Sequence, residues 1–180
     1  MPNRAVLAAV LLSIAAPARF PPSGGQAPLQ KPAQDTVLKA ADIPPRLFPE
    51  TVFFRGQTAP VQMRNTAGVH FADDRYVLAG VVDSSGYSSA IREKYQAYLL
   101  TEVDLRIAAE ALKPGAYGMG FLEGGKFVIL DLAARDLLQA ASTRDPDIKR
   151  PVPLQILAGP RSGTYRLYMG RDFVEFARAK

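Results

Sequence analysis

Residues Leu99–Leu132 read LLTEVDLRIAAEALKPGAYGMGFLEGGKFVILDL. Three short apolar or alternating segments are separated by Pro114-Gly115 and then by Gly124-Gly125, dipeptides that mark turns. That pattern predicts a β-meander. Val103, Leu105 and Ile107 fall on one face of a two-residue period, and Glu102, Asp104 and Arg106 fall on the other, as in a strand with one face on a core and one in water. Phe127–Leu130 is continuously apolar instead, which suits a strand covered on both faces.

Further strands are expected outward from this stretch. Val52–Arg55, Val61–Arg64, Gly68–Ala72 and Tyr76–Val82 have strand character, with Asp73-Asp74 and Asp83–Gly86 as turns. Ser89 is placed to cap one helical turn through Lys94; a longer helix through Leu99 is the rival, because Ile91, Tyr95, Tyr98 and Leu99 also fit one helical face. Beyond the meander, Leu137–Ser142 reads as a strand, Thr143–Pro153 as a polar, proline-rich loop and Leu154–Ala158 as a strand. The hairpin Thr164–Met169 and Asp172–Ala177 turns on Gly170-Arg171, where glycine at the first central position fits a type II′ turn. Its alternation puts Tyr165, Leu167 and Met169 on one face, with Arg166 and Tyr168 on the other. About ten short strands with regular turn signals predict an all-β, mainly antiparallel β-sandwich with at most one or two short helices. A closed β-barrel is the alternative, since antiparallel hairpins also close on themselves.

Ahead of the domain, expected over residues 50–180, lie two other segments. Residues 1–18 resemble an export signal: Arg4 gives a positive start, Ala5–Ala16 is an apolar run too short for a bilayer, and Ala16-Pro17-Ala18 offers a cleavage site. Residues 19–49 hold seven of the fifteen prolines and are expected to form a flexible leader, with at most a helical turn from Asp35 to Ala41. The 180-residue chain has no cysteine, which excludes disulfides, a thiol nucleophile and a lipidated cysteine. Its net charge of +5, one less without Arg4, is spread out rather than gathered into a stripe, so nucleic acid is not the expected partner.

Chemistry-bearing residues are few. His70, the single histidine, with Asp73 and Asp74 would be the ligands of a metal site, although a half-buried strand histidine before an Asp-Asp turn is the plainer reading and neither metal nor other cofactor is expected. Glu102 and Asp104, two apart on a strand, would share a face roughly 7 Å apart, a separation that fits the paired carboxylates of glycoside hydrolysis. Gly118 and Gly120 within a strand mark either a ligand's approach or a bulge or close packing contact. Tyr168 beside Arg166 is expected to stand exposed as a contact site. The chain lacks Gly-x-Ser-x-Gly, Ser-x-x-Lys and phosphate-loop motifs.

Val103–Leu122, VDLRIAAEALKPGAYGMGFL, resembles the strand, leucine and proline-glycine turn, tyrosine strand pattern of a family of exported bacterial β-sandwich domains of unknown function. The resemblance covers about twenty residues; it implies a sandwich and export and carries no catalytic residue. The resulting expectation is an exported, periplasmic or secreted, non-enzymatic binding or envelope-associated module. Its partner would be an envelope protein or a small ligand, and homodimerisation through an edge strand, notably the C-terminal hairpin, is open. The alternatives are a carrier of small apolar ligands with a barrel cavity and a carboxylate-dependent hydrolase.

Overall fold

The two-residue period over 101–107 holds: Val103, Leu105 and Ile107 are buried, and Glu102, Asp104 and Arg106 are exposed. In the computed structural model, which describes residues 31–179, this run does not belong to one meander. Strand β5 (Ala97–Thr101) lies in a large sheet; the chain then crosses to a second sheet for β6 (Leu105–Ile107) and β7 (Glu110–Leu112), and returns for β8 (Gly115–Leu122) and β9 (Lys126–Leu130). Pro114-Gly115 is therefore the step between sheets rather than a hairpin turn, whereas Gly124 and Gly125, at φ +75° and +71°, do turn β8 into β9. Proline has no N–H for a ladder, which suits a residue where the chain leaves one sheet for another.

The large sheet has eight strands. Its path runs β1 (Thr36–Lys39), β3 (Gln57–His70), β4 (Tyr76–Val82), β5, β8, β9 and β10 (Asp136–Ala141), and β2 (Thr51–Phe54) pairs with the first residues of β3. The second sheet has six: β12 (Gln155–Ala158), β13 (Thr164–Met169), β14 (Asp172–Arg178), β6 and β7 in order, with β11 (Thr143–Arg144) on β14. All pairings are antiparallel. The two sheets form a sandwich, not a closed barrel, and the single α-helix among the described residues, α1, is Ser89–Lys94. Ser88, not Ser89, stands at its N-cap, and the longer rival helix is replaced by β5.

Two apolar cores result. Between the sheets, Val69, Ala79, Leu99, Met119, Phe127 and Ile129 meet Leu105, Ile107, Ile156, Leu167, Val174 and Phe176. Behind the large sheet, Leu38, Ile43, Phe48, Phe54, Leu78, Tyr87, Tyr95 and Leu130 form a second core. Strand β9 serves both, with Phe127 and Ile129 in one and Leu130 in the other, as its continuous apolar run requires.

The strands expected at Val61–Arg64 and Gly68–Ala72 merge into the single strand β3, which ends at His70 and leaves Phe71 and Ala72 to the turn; its pairing with β4 is irregular between Val61 and Thr66, where Asn65 Nδ2 donates to Gln62 Oε1 and Thr66 Oγ1 donates to Met63 O. The leader expected over 19–49 is, from Thr36 on, part of the fold. Strand β1 pairs with β3, a 3-10 turn spans Ala40–Asp42, and Leu38, Ile43 and Phe48 are buried. The prolines set turns between these anchors instead of preventing packing. Asp35 caps no helix; Ala72 N–H donates to its Oδ1 (3.0 Å) and the Tyr165 hydroxyl to its Oδ2 (2.9 Å), which ties β1 to the second sheet. The C-terminal hairpin β13–β14 sits between β12 and β6, so it offers no free edge; the outermost strands of the two paths are β1 and β10, and β12 and β7. The expected signal at 1–18 and the leader to residue 30 lie outside the described residues.

Candidate functional site

Three neighbouring features gather His70, Asp73, Asp74, Glu102 and Asp104 where β3 turns into β4 and β5 leaves the large sheet. His70 and Tyr76 are opposite partners across the β3–β4 turn. Their rings stack, with centroids 4.1 Å apart and 13° between planes. Asp74 adopts a left-handed φ of +67°, and its Oδ1 lies 2.7 Å from His70 Nε2 and 3.4 Å from the Tyr76 hydroxyl. His70 is 3% exposed. Partial burial, and then the Asp74 carboxylate, push the Tyr76 phenol upward.

Asp73 points elsewhere. Its carboxylate bonds the Arg178 guanidinium at 2.7 Å, which holds it below the usual carboxylate range. The metal set His70, Asp73 and Asp74 is thus split between two partners, and among the described residues no three His, Asp or Glu side chains are grouped to hold a metal ion.

Beside Tyr76 opens a groove of about 380 Å³ lined by Leu47, Leu78, Leu100, Gly115 and Ala116, with Tyr76, Thr101 and Glu102 at its border. Glu102 Oε2 accepts the Tyr76 N–H at 2.9 Å and so ties the border to β4. A second hollow, of about 270 Å³, adjoins it through Glu102 and is lined by Asp73, Arg75, Asp104, Pro114 and Arg178. Glu102 and Asp104 therefore do border one hollow, but from the bend between β5 and β6 rather than from a strand. Both face solvent, and Asp104 pairs with Lys113 at 3.0 Å. A glycosidase's general acid is held in an apolar enclosure instead.

The other residues expected to make contacts are covered. Tyr168 does lie opposite the Leu167 face, yet it is 1% exposed. The loop after β11 folds over it: the Tyr168 hydroxyl donates to Asp145 Oδ2 (2.9 Å), and Arg171 Nη1 donates to Pro146 O (3.0 Å) and Ile148 O (2.6 Å). Arg166 lies over the Phe173 ring, 4.5 Å from its centroid, and Phe173 packs against Tyr168. Gly118 and Gly120 are likewise roofed. A Cβ at Gly118 would stand 2.6 Å from Phe54 Cε2, and one at Gly120 would meet the Lys94 carbonyl. Gly68 and Gly80 make the same provision for Leu78 and Phe48. Gly68, Gly80 and Gly118 let the second core lie flush on the sheet, and Gly120 lets the end of α1 approach β8, the close-packing reading and not the ligand one.

Nothing in the sequence marks the groove. Leu78 and Leu100 signalled strand and nothing more, and Leu47 lay within the presumed leader. No family model matches the chain, and no curated protein or solved structure matches it.

Proposed function

We propose that the protein is an exported, non-enzymatic binding module that holds a small ligand or partner side chain in the groove beside Tyr76. The observation that carries this reading is the groove's make-up. Leu47, Leu78, Leu100 and Ala116 give an apolar floor, and Tyr76 and Glu102 bring polar atoms to its border. Small-ligand pockets are commonly built this way, with apolar area for affinity and a few polar groups for orientation. A tyrosine with an apolar ring and a polar tip suits such a border. Support for export comes from the pattern of residues 1–18 and from the resemblance carried by Val103–Leu122.

A thermal-shift screen of the purified chain against fatty acids, sugars and envelope fragments tests the reading, because a ligand that binds only the folded state raises Tm by mass action. The expected result is a concentration-dependent rise with an apolar ligand that Leu100→Lys abolishes. A rise that Leu100→Lys leaves intact, or no rise with any probe, would sink it. Fusing residues 1–30 to a reporter tests export separately, with cleavage after Ala18 the expected outcome.

A second reading, a carboxylate-dependent hydrolase, rests on Glu102 and Asp104 bordering one hollow. Under it, Glu102→Gln and Asp104→Asn each abolish glycan cleavage without changing Tm; cleavage that survives both substitutions removes it.

A further inference from the structure

The smaller sheet carries a different hollow on its surface, of about 490 Å³, independent of the groove beside Tyr76. Three arginines line it: Arg106 from β6, Arg161 from the loop between β12 and β13, and Arg178 from the end of β14. Glu175 is the one carboxylate in the lining, and Ser162 and Thr164 add hydroxyls. Arg106 stands opposite Ala177 in the β6–β14 register, so a small side chain leaves the space beside its guanidinium open.

The charges are not balanced within the hollow. Arg178 is taken by Asp73 at 2.7 Å. Glu175 is shared, with Oε1 2.9 Å from Arg161 Nη2 and Oε2 3.9 Å from Arg166 Nε, which is buried and lacks a hydrogen-bond partner. Arg106 makes no ion pair or hydrogen bond through its side chain among the described residues, although it borders the same hollow. One carboxylate thus answers two guanidiniums, and a third has none.

We propose that this hollow is a binding site for an oxyanion, a carboxylate, sulfate or phosphate group on a small organic molecule. Arg106 and Arg161 supply the forked donors, which match two oxygens of such a group at once. Ala108 and Ala177 provide a low wall against which the ligand's carbon skeleton lies. Glu175 sets the selectivity: it turns away weakly charged ligands and yields Arg161 to an anion that brings more than one oxygen to the fork.

Calorimetric titration of the whole chain with inorganic phosphate, sulfate and citrate tests the site. Ionic strength is held constant with chloride so that general screening does not differ between probes. The expected result is saturable binding of at least one probe, and the probe bound most tightly identifies which oxyanion the site takes. Arg106→Gln is expected to weaken that binding by about tenfold or more, the loss typical of one charge-assisted bond, with Tm unchanged. Glu175→Gln is expected to tighten it. Arg144→Gln, which removes an equal charge beside Asp172 at the opposite end of β14, serves as the control and leaves binding as it was. Equal losses in Arg106→Gln and Arg144→Gln would show attraction to net charge alone and overturn the proposal, as would the absence of saturable binding by all three probes.

Discussion

Replacing Gly118 by alanine adds a single methyl group where the large sheet meets its outer core. Phe54 and Tyr95 stack over this glycine, with ring centroids 3.8 Å apart and planes inclined by 16°. The new Cβ would stand 2.6 Å from Phe54 Cε2 and 3.0 Å from both Phe54 Cζ and Tyr95 Cδ2. Carbon atoms rest at about 3.5–4.0 Å, so the Phe54 ring must retreat by about 1 Å. Its retreat is obstructed, since Tyr87 packs edge-on against both rings and both are fully buried. Overpacking of this kind costs about 1–3 kcal/mol, against a gain of about 0.5–1 kcal/mol for alanine over glycine in an unobstructed strand. Taken at mid-range, the two leave a net loss of about 1 kcal/mol, a fall in Tm of about 2–4 °C for a chain of this size. Thermal and urea unfolding followed by circular dichroism measure it. Gly86→Ala is the control, because nothing lies within 4 Å of a Cβ there. In a Phe54→Leu background, where the clashing ring edge is gone, Gly118→Ala should cost less than in the native chain, with a coupling above about 0.5 kcal/mol. A Gly118→Ala chain as stable as the native one, or an equal cost in both backgrounds, would refute the packing account and reopen Gly118 as a place where a ligand approaches.

Tyr95→Phe should raise stability by about 1 kcal/mol, because the Tyr95 hydroxyl is buried with no hydrogen-bond partner and an unmet buried group is costly; a loss of stability in urea unfolding would contradict this. Ala134 holds a φ of +66° in the turn from Asp131 to Arg135, so Ala134→Gly should stabilise by about 0.5–1 kcal/mol by relieving left-handed strain, and a lower Tm would count against it. In acid, Asp73, Asp83 and Asp131 are held below the usual carboxylate range, by the Arg178 side chain and by the backbone N–H groups of Ser85 and Arg135 respectively. Their contribution is fully present above about pH 4, near the unfolded carboxylate value, and fades as pH falls through their lower folded values. Denaturant midpoints should therefore decline below that pH, and less steeply in Asp131→Asn. In alkali, burial pushes the Tyr95 and Tyr165 phenols up, with Asp35 adding to the rise at Tyr165. Stability should fall as pH rises beyond about 10, where tyrosines of the unfolded chain ionise first; a flat alkaline limb in the same titration would contradict it.

Local chemistry made much of the sandwich legible. Gly170 at φ +61°, with no positive φ at Arg171, agrees with the type II′ hairpin, and Tyr165 and Leu167 point into the core as their alternation requires. Alternation also placed Tyr168 on the correct face. It was silent on what covers that face, because the cover depends on Asp145 and Arg171 meeting across the β13–β14 turn and a loop of remote sequence. The same limit hid β1: proline content argued for a tether, while the worth of Leu38, Ile43 and Phe48 became visible only with the sheet against which they pack. At the candidate site the residue types were legible and their grouping was not. Asp73 and Asp74 are neighbours in sequence but serve Arg178 and His70 respectively, since the left-handed residue between the strands sends consecutive side chains in different directions.

The excursion of the chain into the smaller sheet between β5 and β8 bears on the order in which the protein is assembled. Strands β6 and β7 are made early, yet the neighbour that joins them to the rest of their sheet is β14, about seventy residues later, with a correspondingly large loop to close. A chain emerging from its amino end can pair all of the large sheet once β10 has formed. Until β14 arrives, the β6–β7 hairpin has an unpaired flank and the inner face of the large sheet lacks Val174 and Phe176. Chains stopped before Asp172 should accordingly be cut by protease within the β6–β7 hairpin while β3 to β5 resist. Such a cut would mark β14 as the latch that closes the smaller sheet over the larger one.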